Sequence, residues 1–249
     1  MTEPFFIVGC PRSGTTMLRN LLRSVPGLYC PEETHFYRWG QPYRVPQFRG
    51  NYLNNKVLAR HREIDGVSDA QIEDLFARAK SRREFCDGYL AMFLEGQNAP
   101  ANARWFDKTP QNVFGLLLLG FDYPESRFVH VYRNPLNVVA SLKVGKVMKL
   151  DDPVAASNYW RESVAIAESW RACNPQRMLS IGYEELTRNP VAQMEALCGF
   201  VSIEAPVELS GVTPEANQFE SVLDSDEITL VKSITQPVVD RFGYRFEKF

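Results

Sequence analysis

The stretch GCPRSGTT, Gly9–Thr16, stands between the apolar run FFIV at Phe5–Val8 and MLRNLLRSV at Met17–Val25. The run before it is continuously apolar, as a strand buried on both faces requires. After it, Met17, Leu18, Leu21, Leu22 and Val25 recur at helical spacing until Pro26-Gly27 stops the helix. A strand, a glycine-punctuated turn and a helix N-terminus make an anion site, because turn N–H groups point inward and the helix dipole favours negative charge. Gly9 and Gly14 bracket four residues, as in a Walker A loop. That motif continues with a lysine and then a hydroxyl; here Thr15 and Thr16 follow. A metal-dependent kinase also wants an aspartate after a second strand. The apolar run FVHVY is followed instead by Arg133. What remains is a cradle of hydroxyls, Ser13, Thr15 and Thr16, with one cation inside it, Arg12.

Working outward, strands and helices alternate. RWFDKTP reads as a short strand ending in a polar turn, and RFVHVY and RMLSIGY as buried strands. Helices are expected around Val113–Gly120, after Asn134 as N-cap with Pro135 in the first turn, over Asp152–Cys173, and after Asn189-Pro190. Ser68 with Gln71 and Ser81 with Glu84 predict two capping boxes. The segment from Tyr29 to Tyr52, rich in proline and aromatics, reads as loop and short helix. The pattern predicts an α/β fold with a central, largely parallel sheet flanked by helices. The 249 residues, 45% of them hydrophobic, suit one domain, 1–249.

Several classes are disfavoured. A net charge of -2 argues against a nucleic-acid partner. Five scattered cysteines without a CxxC argue for reduced, mostly structural thiols and against a zinc site. Met1–Pro4 carries no basic region, and no segment approaches the ~18 apolar residues of a membrane span. The chain therefore reads as cytoplasmic, with no membrane span. His130, inside an apolar strand, reads as a core histidine.

PRSGTT after an apolar strand resembles the 5′-phosphosulfate loop of the sulfotransferases that use 3′-phosphoadenosine 5′-phosphosulfate (PAPS), and its arginine form is most similar to the tyrosylprotein sulfotransferases. YRNPLNVVAS resembles their 3′-phosphate motif, PEETHFY the segment carrying a catalytic glutamate, and FDKTP an active-site lysine segment. The closing FGY, Phe242–Tyr244, also looks familial. The resemblance implies a P-loop-NTPase-like sulfotransferase fold, with a helical acceptor-binding or lid region around 34–104. It implies PAPS as co-substrate, 3′-phosphoadenosine 5′-phosphate (PAP) as product, and no metal.

Sulfuryl transfer is physically close to phosphoryl transfer, a loose in-line displacement for which the protein supplies position and electrostatics. The resemblance then assigns Arg12 and Lys108 to the sulfuryl and bridging oxygens. It implies that Arg12, Ser13, Gly14, Thr15 and Thr16 hold the 5′-phosphosulfate and that Arg133 and Ser141 hold the 3′-phosphate; Tyr183, at the end of LSIGY, is expected either near the adenosine or in the core. The resemblance makes Glu33 the candidate general base, with Glu32 as its neighbour. Arg38–Arg62 contains six Lys/Arg and no acid, with Trp39, Tyr43, Phe48 and Tyr52 interleaved. This reads as an acceptor cleft with positive walls and aromatic platforms, to which His35, Arg38, Trp39 and Arg44 contribute. The expected acceptor is an anionic partner offering a hydroxyl: a tyrosine of an acidic peptide, a phenol, or an acidic carbohydrate. A homodimer is compatible with this reading. The competing reading is a degenerate P-loop kinase or NTPase, or a silent nucleotide-binding protein.

Overall fold

Phe5–Gly9 forms β1, the middle strand of a five-stranded sheet of order β2-β3-β1-β4-β5. The computed structural model describes residues 3–146, 148–204, 207–212 and 217–244. Along the chain, β1 is followed by α1 (Thr15–Arg23), β2 (Leu28–Tyr29), α2 (Pro46–Leu53), α3 (Lys56–Ile64), α4 (Asp69–Arg78), α5 (Arg82–Gly96) and β3 (Arg104–Lys108). Then come α6 (Leu116–Asp122), β4 (Arg127–Tyr132), α7 (Pro135–Lys143), α8 (Pro153–Cys173), β5 (Met178–Gly182), α9 (Tyr183–Arg188), α10 (Pro190–Val201), α11 (Phe219–Val222) and α12 (Ser225–Phe242). Every strand pairing is parallel, with Ile7 opposite Lys108 on one side of β1 and Val129 on the other. From β1 the chain crosses to the β2 edge, returns as β3, and then fills the other side as β4 and β5. The sheet therefore has its switch point at β1, the place where open α/β sheets bind ligands beyond the strand C-termini.

The apolar run of β1 is buried on both faces. Phe5 and Ile7 pack with Leu18, Leu21 and Leu22 of α1 and Leu197 of α10. Phe6 and Val8 turn the other way, into a cluster holding Phe36, Phe85, Tyr89, Tyr123 and Phe128. A third cluster joins α7, α8 and α12 around Trp160. Burial of this kind contributes about 25 cal/mol per Å² of apolar surface, so the sheet is a rigid platform for the loops at its C-terminal edge. All five cysteines are free, and Cys10, Cys30 and Cys86 are buried. Among the described residues no helix is long and apolar enough to cross a membrane.

Local readings diverge from expectation at four places. Ser68 and Gln71 form the full capping box, but at α5 only Ser81 caps; Glu84 accepts the N–H of Lys80 instead. The helix expected at Val113–Gly120 is a 3₁₀ turn, Pro110–Gly115, running into α6. Gly115 lies so close to the Tyr37 carbonyl that a Cβ would stand 1.8 Å from its oxygen. Asn189 precedes α10 but does not cap it, since its amide donates to Glu185 in the preceding helix. Finally, half of the basic run at 38–62 is balanced. Arg49 pairs with Glu73, Arg60 with Glu63, and the buried Arg62 with Asp69, all acids lying beyond the run. Phe48 and Tyr52 are core residues, not aromatic platforms.

Candidate active site at the C-terminal edge of the sheet

The loop between β1 and α1 has the backbone of an anion cradle. Arg12 and Gly14 both have positive φ, 70° and 89°. A non-glycine residue there is uncommon, and runs of this kind turn successive N–H groups to one side. No side chain caps the first turn of α1, so its N–H donors have no side-chain acceptor. Ser13 is fully buried and its Oγ has no hydrogen-bond partner. A buried hydroxyl without a partner is costly, and an anion in the cradle would satisfy it. Gly14 is required on two counts: its φ, and a Cβ that would stand 2.1 Å from Cδ2 of Tyr183.

Four segments meet around this loop. Arg12 Nε donates to Ser141 Oγ in α7 at 2.9 Å. Arg133, at the end of β4, donates to the Arg12 carbonyl at 3.2 Å and lies over the Tyr183 ring, 4.8 Å from its centroid. Asn134 caps α7 through the Leu136 N–H with Pro135 in the first turn, as expected, and its own N–H donates to Glu184. Lys108, at the end of β3, is 1% exposed and is no surface cation. Its Nζ donates to Thr16 Oγ1 at 3.3 Å and to Glu33 Oε1 in a short ion pair.

Glu32 and Glu33 part company. Glu32 is held by Arg19 and Arg23 at 2.8 and 3.2 Å, and its N–H donates to Asp65. Glu33 turns to the loop, with Oε2 3.4 Å from His35 Nε2. Burial raises the Glu33 pKa, but the His35 hydrogen bond and the Lys108 charge outweigh it and hold the carboxyl at about 2. Burial also pushes His35 below the usual histidine range, against the pull of Glu33. At neutral pH Lys108 is therefore the cation that holds Glu33. A cleft of about 280 Å³ opens over this group, lined by Arg12, Thr15, Thr16, Glu33, His35 and Arg38 together with Val57, Leu58 and Met148.

The remaining acceptor-side residues divide. Trp39 lies under Arg38, 5.5 Å from guanidinium to ring centroid, and is partly buried against the core. Arg44 stands outside the cleft, in a separate hollow with Arg49, Glu73 and Phe76. His130 is a core histidine, buried with Nδ1 3.1 Å from Glu168 Oε1 and 3.2 Å from Ser180 Oγ. Three contributors escaped the sequence reading. Helix α3 brings Val57 and Leu58 to the cleft, and His61 Nδ1 lies 2.9 Å from the Glu33 carbonyl. Asp107, one residue before Lys108, accepts hydrogen bonds from Thr34, Thr109 and Asn112. A Ser/Thr cap pattern would not reveal these contacts, and the acid-free run 38–62 reads in sequence as a basic cleft wall.

Fold and loop together define the class: a parallel α/β domain with an anion-cradling loop at the switch point of its sheet. The model of the Sulfotransferase family matches residues 4–206, and the chain belongs to that family. It is 26% identical over 212 residues to a putative protein-tyrosine sulfotransferase of Caenorhabditis briggsae, covering 80% of this chain and 65% of the relative. It is 26% identical over 208 residues to protein-tyrosine sulfotransferase A of Caenorhabditis elegans, covering 81% of this chain and 50% of the relative. The chain thus spans about half to two thirds of the length of these curated relatives. Among solved structures, the sulfotransferase domain of the Synechococcus PCC 7002 olefin synthase superposes with a TM-score of 0.71 at 19% identity, over 98% of this chain and 97% of that one. A mouse sulfotransferase crystallised with PAP superposes with a TM-score of 0.50 at 12% identity, over 94% and 83% of the two chains. The fold is the P-loop-like sulfotransferase fold.

Proposed function

We propose that this chain transfers the sulfuryl group of PAPS to a hydroxyl acceptor, and that the acceptor is the phenol of a tyrosine side chain. The observation that carries the reading is the convergence of Glu33, Lys108 and Thr16 at the N-terminus of α1. A base, a cation and an anion cradle then share one cleft, which is what displacement at a sulfuryl group needs. The orphaned Ser13 hydroxyl and the positive φ of Arg12 and Gly14 fit a bound phosphate. The names of the curated relatives favour tyrosine as acceptor, and Arg38 gives the cleft a cation for an acid flanking it.

In this mechanism Arg133 and Ser141 hold the 3′-phosphate, and the 12–16 loop holds the 5′-phosphate. Arg12 and Lys108 neutralise charge on the sulfuryl and bridging oxygens. Glu33 takes the phenol proton as the bond from the acceptor oxygen to sulfur forms. The bond from sulfur to the bridging oxygen breaks, and its electron pair leaves on the 5′-phosphate of PAP. Glu33 at a pKa of about 2 is a weak base while Lys108 holds it. As Lys108 turns to the donor oxygens, Glu33 keeps His35 but loses the Lys108 charge and hydrogen bond, and its basicity rises.

Thermal-shift titration with PAP and with Mg-ATP, followed by mass spectrometry of an acidic tyrosine peptide, a simple phenol and an acidic glycan incubated with PAPS, tests the reading. PAP should stabilise the chain without metal, and the peptide should gain a sulfuryl group. Stabilisation by Mg-ATP alone would instead support the kinase-like alternative.

A further inference from the structure

Asp107 is 2% exposed on β3, and its partners are three neutral donors. Oδ1 accepts from Thr34 Oγ1 at 2.9 Å and from Thr109 Oγ1 at 3.0 Å, and Oδ2 accepts from Asn112 Nδ2 at 3.0 Å. The same side chains grip the backbone that follows Glu33. Thr109 Oγ1 accepts the Thr34 N–H at 2.9 Å, and Asn112 Oδ1 accepts the Tyr37 N–H at 3.1 Å. Gly115 lets the Tyr37 carbonyl lie against the 3₁₀ turn. Segment 34–37 is therefore hung from segment 107–115 by Thr109 and Asn112, whose side chains are both held by the Asp107 carboxylate. Glu33 is the residue before this knot, and Lys108 lies inside it. Asp107 is itself registered on the sheet, opposite Phe6 of β1, the strand that leads into the loop.

Resting on the sulfuryl-transfer reading, we infer that Asp107 is a positioning residue that sets the distance between the base Glu33 and the cation Lys108. A carboxylate suits the place because it accepts all three bonds and presents no donor. An amide would turn its NH₂ towards that of Asn112. Asn112 would then flip and release the Tyr37 N–H. A displacement of about 1 Å in a reacting group costs on the order of 10²-fold in rate.

The test is an isosteric swap. Asp107→Asn should lower kcat by about 10²-fold with the KM for PAPS little changed. It should also raise the rate at which a small acylating reagent labels Lys108, relative to Lys143 and Lys149, as read by mass spectrometry. Adding Asn112→Asp restores a donor–acceptor match, because the new carboxylate accepts both from the new amide and from Tyr37 N–H. The double variant should recover most of kcat and the slow labelling of Lys108. If Asp107→Asn fails to fold, Thr34→Val removes a single hydroxyl from the knot and should show the same two changes in smaller measure. Unchanged kcat and unchanged labelling in the folded variants, or a folded double variant that recovers neither, would overturn the inference. Absence of sulfuryl transfer by the wild-type chain would refute the proposed function instead, while the labelling comparison would still decide on Asp107.

Discussion

Arg12 Nε and Ser141 Oγ, 129 positions apart, are joined by a hydrogen bond of 2.9 Å. The bond ties the loop after β1 to the last turn of α7, and Arg133 reaches the same loop through the Arg12 carbonyl. Loop, strand end and helix thus form a single basic surface. Arg133→Ala should weaken PAP binding by about 1.5–3 kcal/mol, the range for hydrogen bonds to charged groups. Calorimetry checks this, and equal affinity would remove Arg133 from the phosphate site.

Glu33 and Glu32 should differ sharply in function. Glu33→Gln removes the proton acceptor and should cost about 10²–10⁴-fold in kcat. It also frees Lys108, so PAP affinity should hold or tighten. Glu32 is occupied by Arg19 and Arg23 and lies outside the cleft lining. Glu32→Gln should leave kcat close to wild type while lowering the melting temperature. Steady-state kinetics on the two variants separates them.

Gly14→Ala should destabilise the fold by about 1–3 kcal/mol, because the residue is held at positive φ and its new methyl would meet the Tyr183 ring. Urea denaturation measures this. A fully stable Gly14→Ala chain with normal PAP binding would contradict the loop geometry.

Stability should respond to pH in two opposed ways. Burial raises Asp107 from 3.8 to about 6, against the Thr34 and Thr109 hydrogen bonds. Its contribution is therefore greatest below 3.8 and is lost as pH rises through about 6. In Glu168, the His130 and Arg171 hydrogen bonds outweigh burial and lower the carboxyl from 4.5 to about 2. Its contribution is present above 4.5 and is lost as pH falls towards about 2. The stability of Asp107→Asn relative to wild type should accordingly improve between about pH 4.5 and about pH 7.5, as measured by urea unfolding at both. A difference that does not change with pH would mean that Asp107 is not the group that titrates.

What the sequence made legible was local. The β1 loop, the α7 cap at Asn134 and the strand-end positions of Lys108 and Arg133 follow from runs and caps a few residues long. What stayed hidden was held across distance. Arg49, Arg60 and Arg62, three of the six cations of 38–62, are paired with Glu73, Glu63 and Asp69 of α3 and α4, so half of the run's charge is met from beyond it. The Asp107 knot joins residues 73 and 75 positions apart, and no period or spacing announces such a contact. Of the helix expected over Val113–Gly120, the part from Leu116 is α6, and the residues before it form a 3₁₀ turn in which Gly115 lies against the Tyr37 carbonyl.

Glu33 and Lys108 over the β1 loop are proposed to carry out metal-independent sulfuryl transfer. The direct measurement is single-turnover transfer of radiolabelled sulfate from PAPS to an acidic tyrosine peptide, with EDTA present, by wild type and by Glu33→Gln. Wild type should form sulfated peptide and PAP in equal amounts, and the variant should bind PAP but form almost no sulfated peptide. Equal rates in the two proteins, or no transfer by a wild type that turns over Mg-ATP, would contradict it.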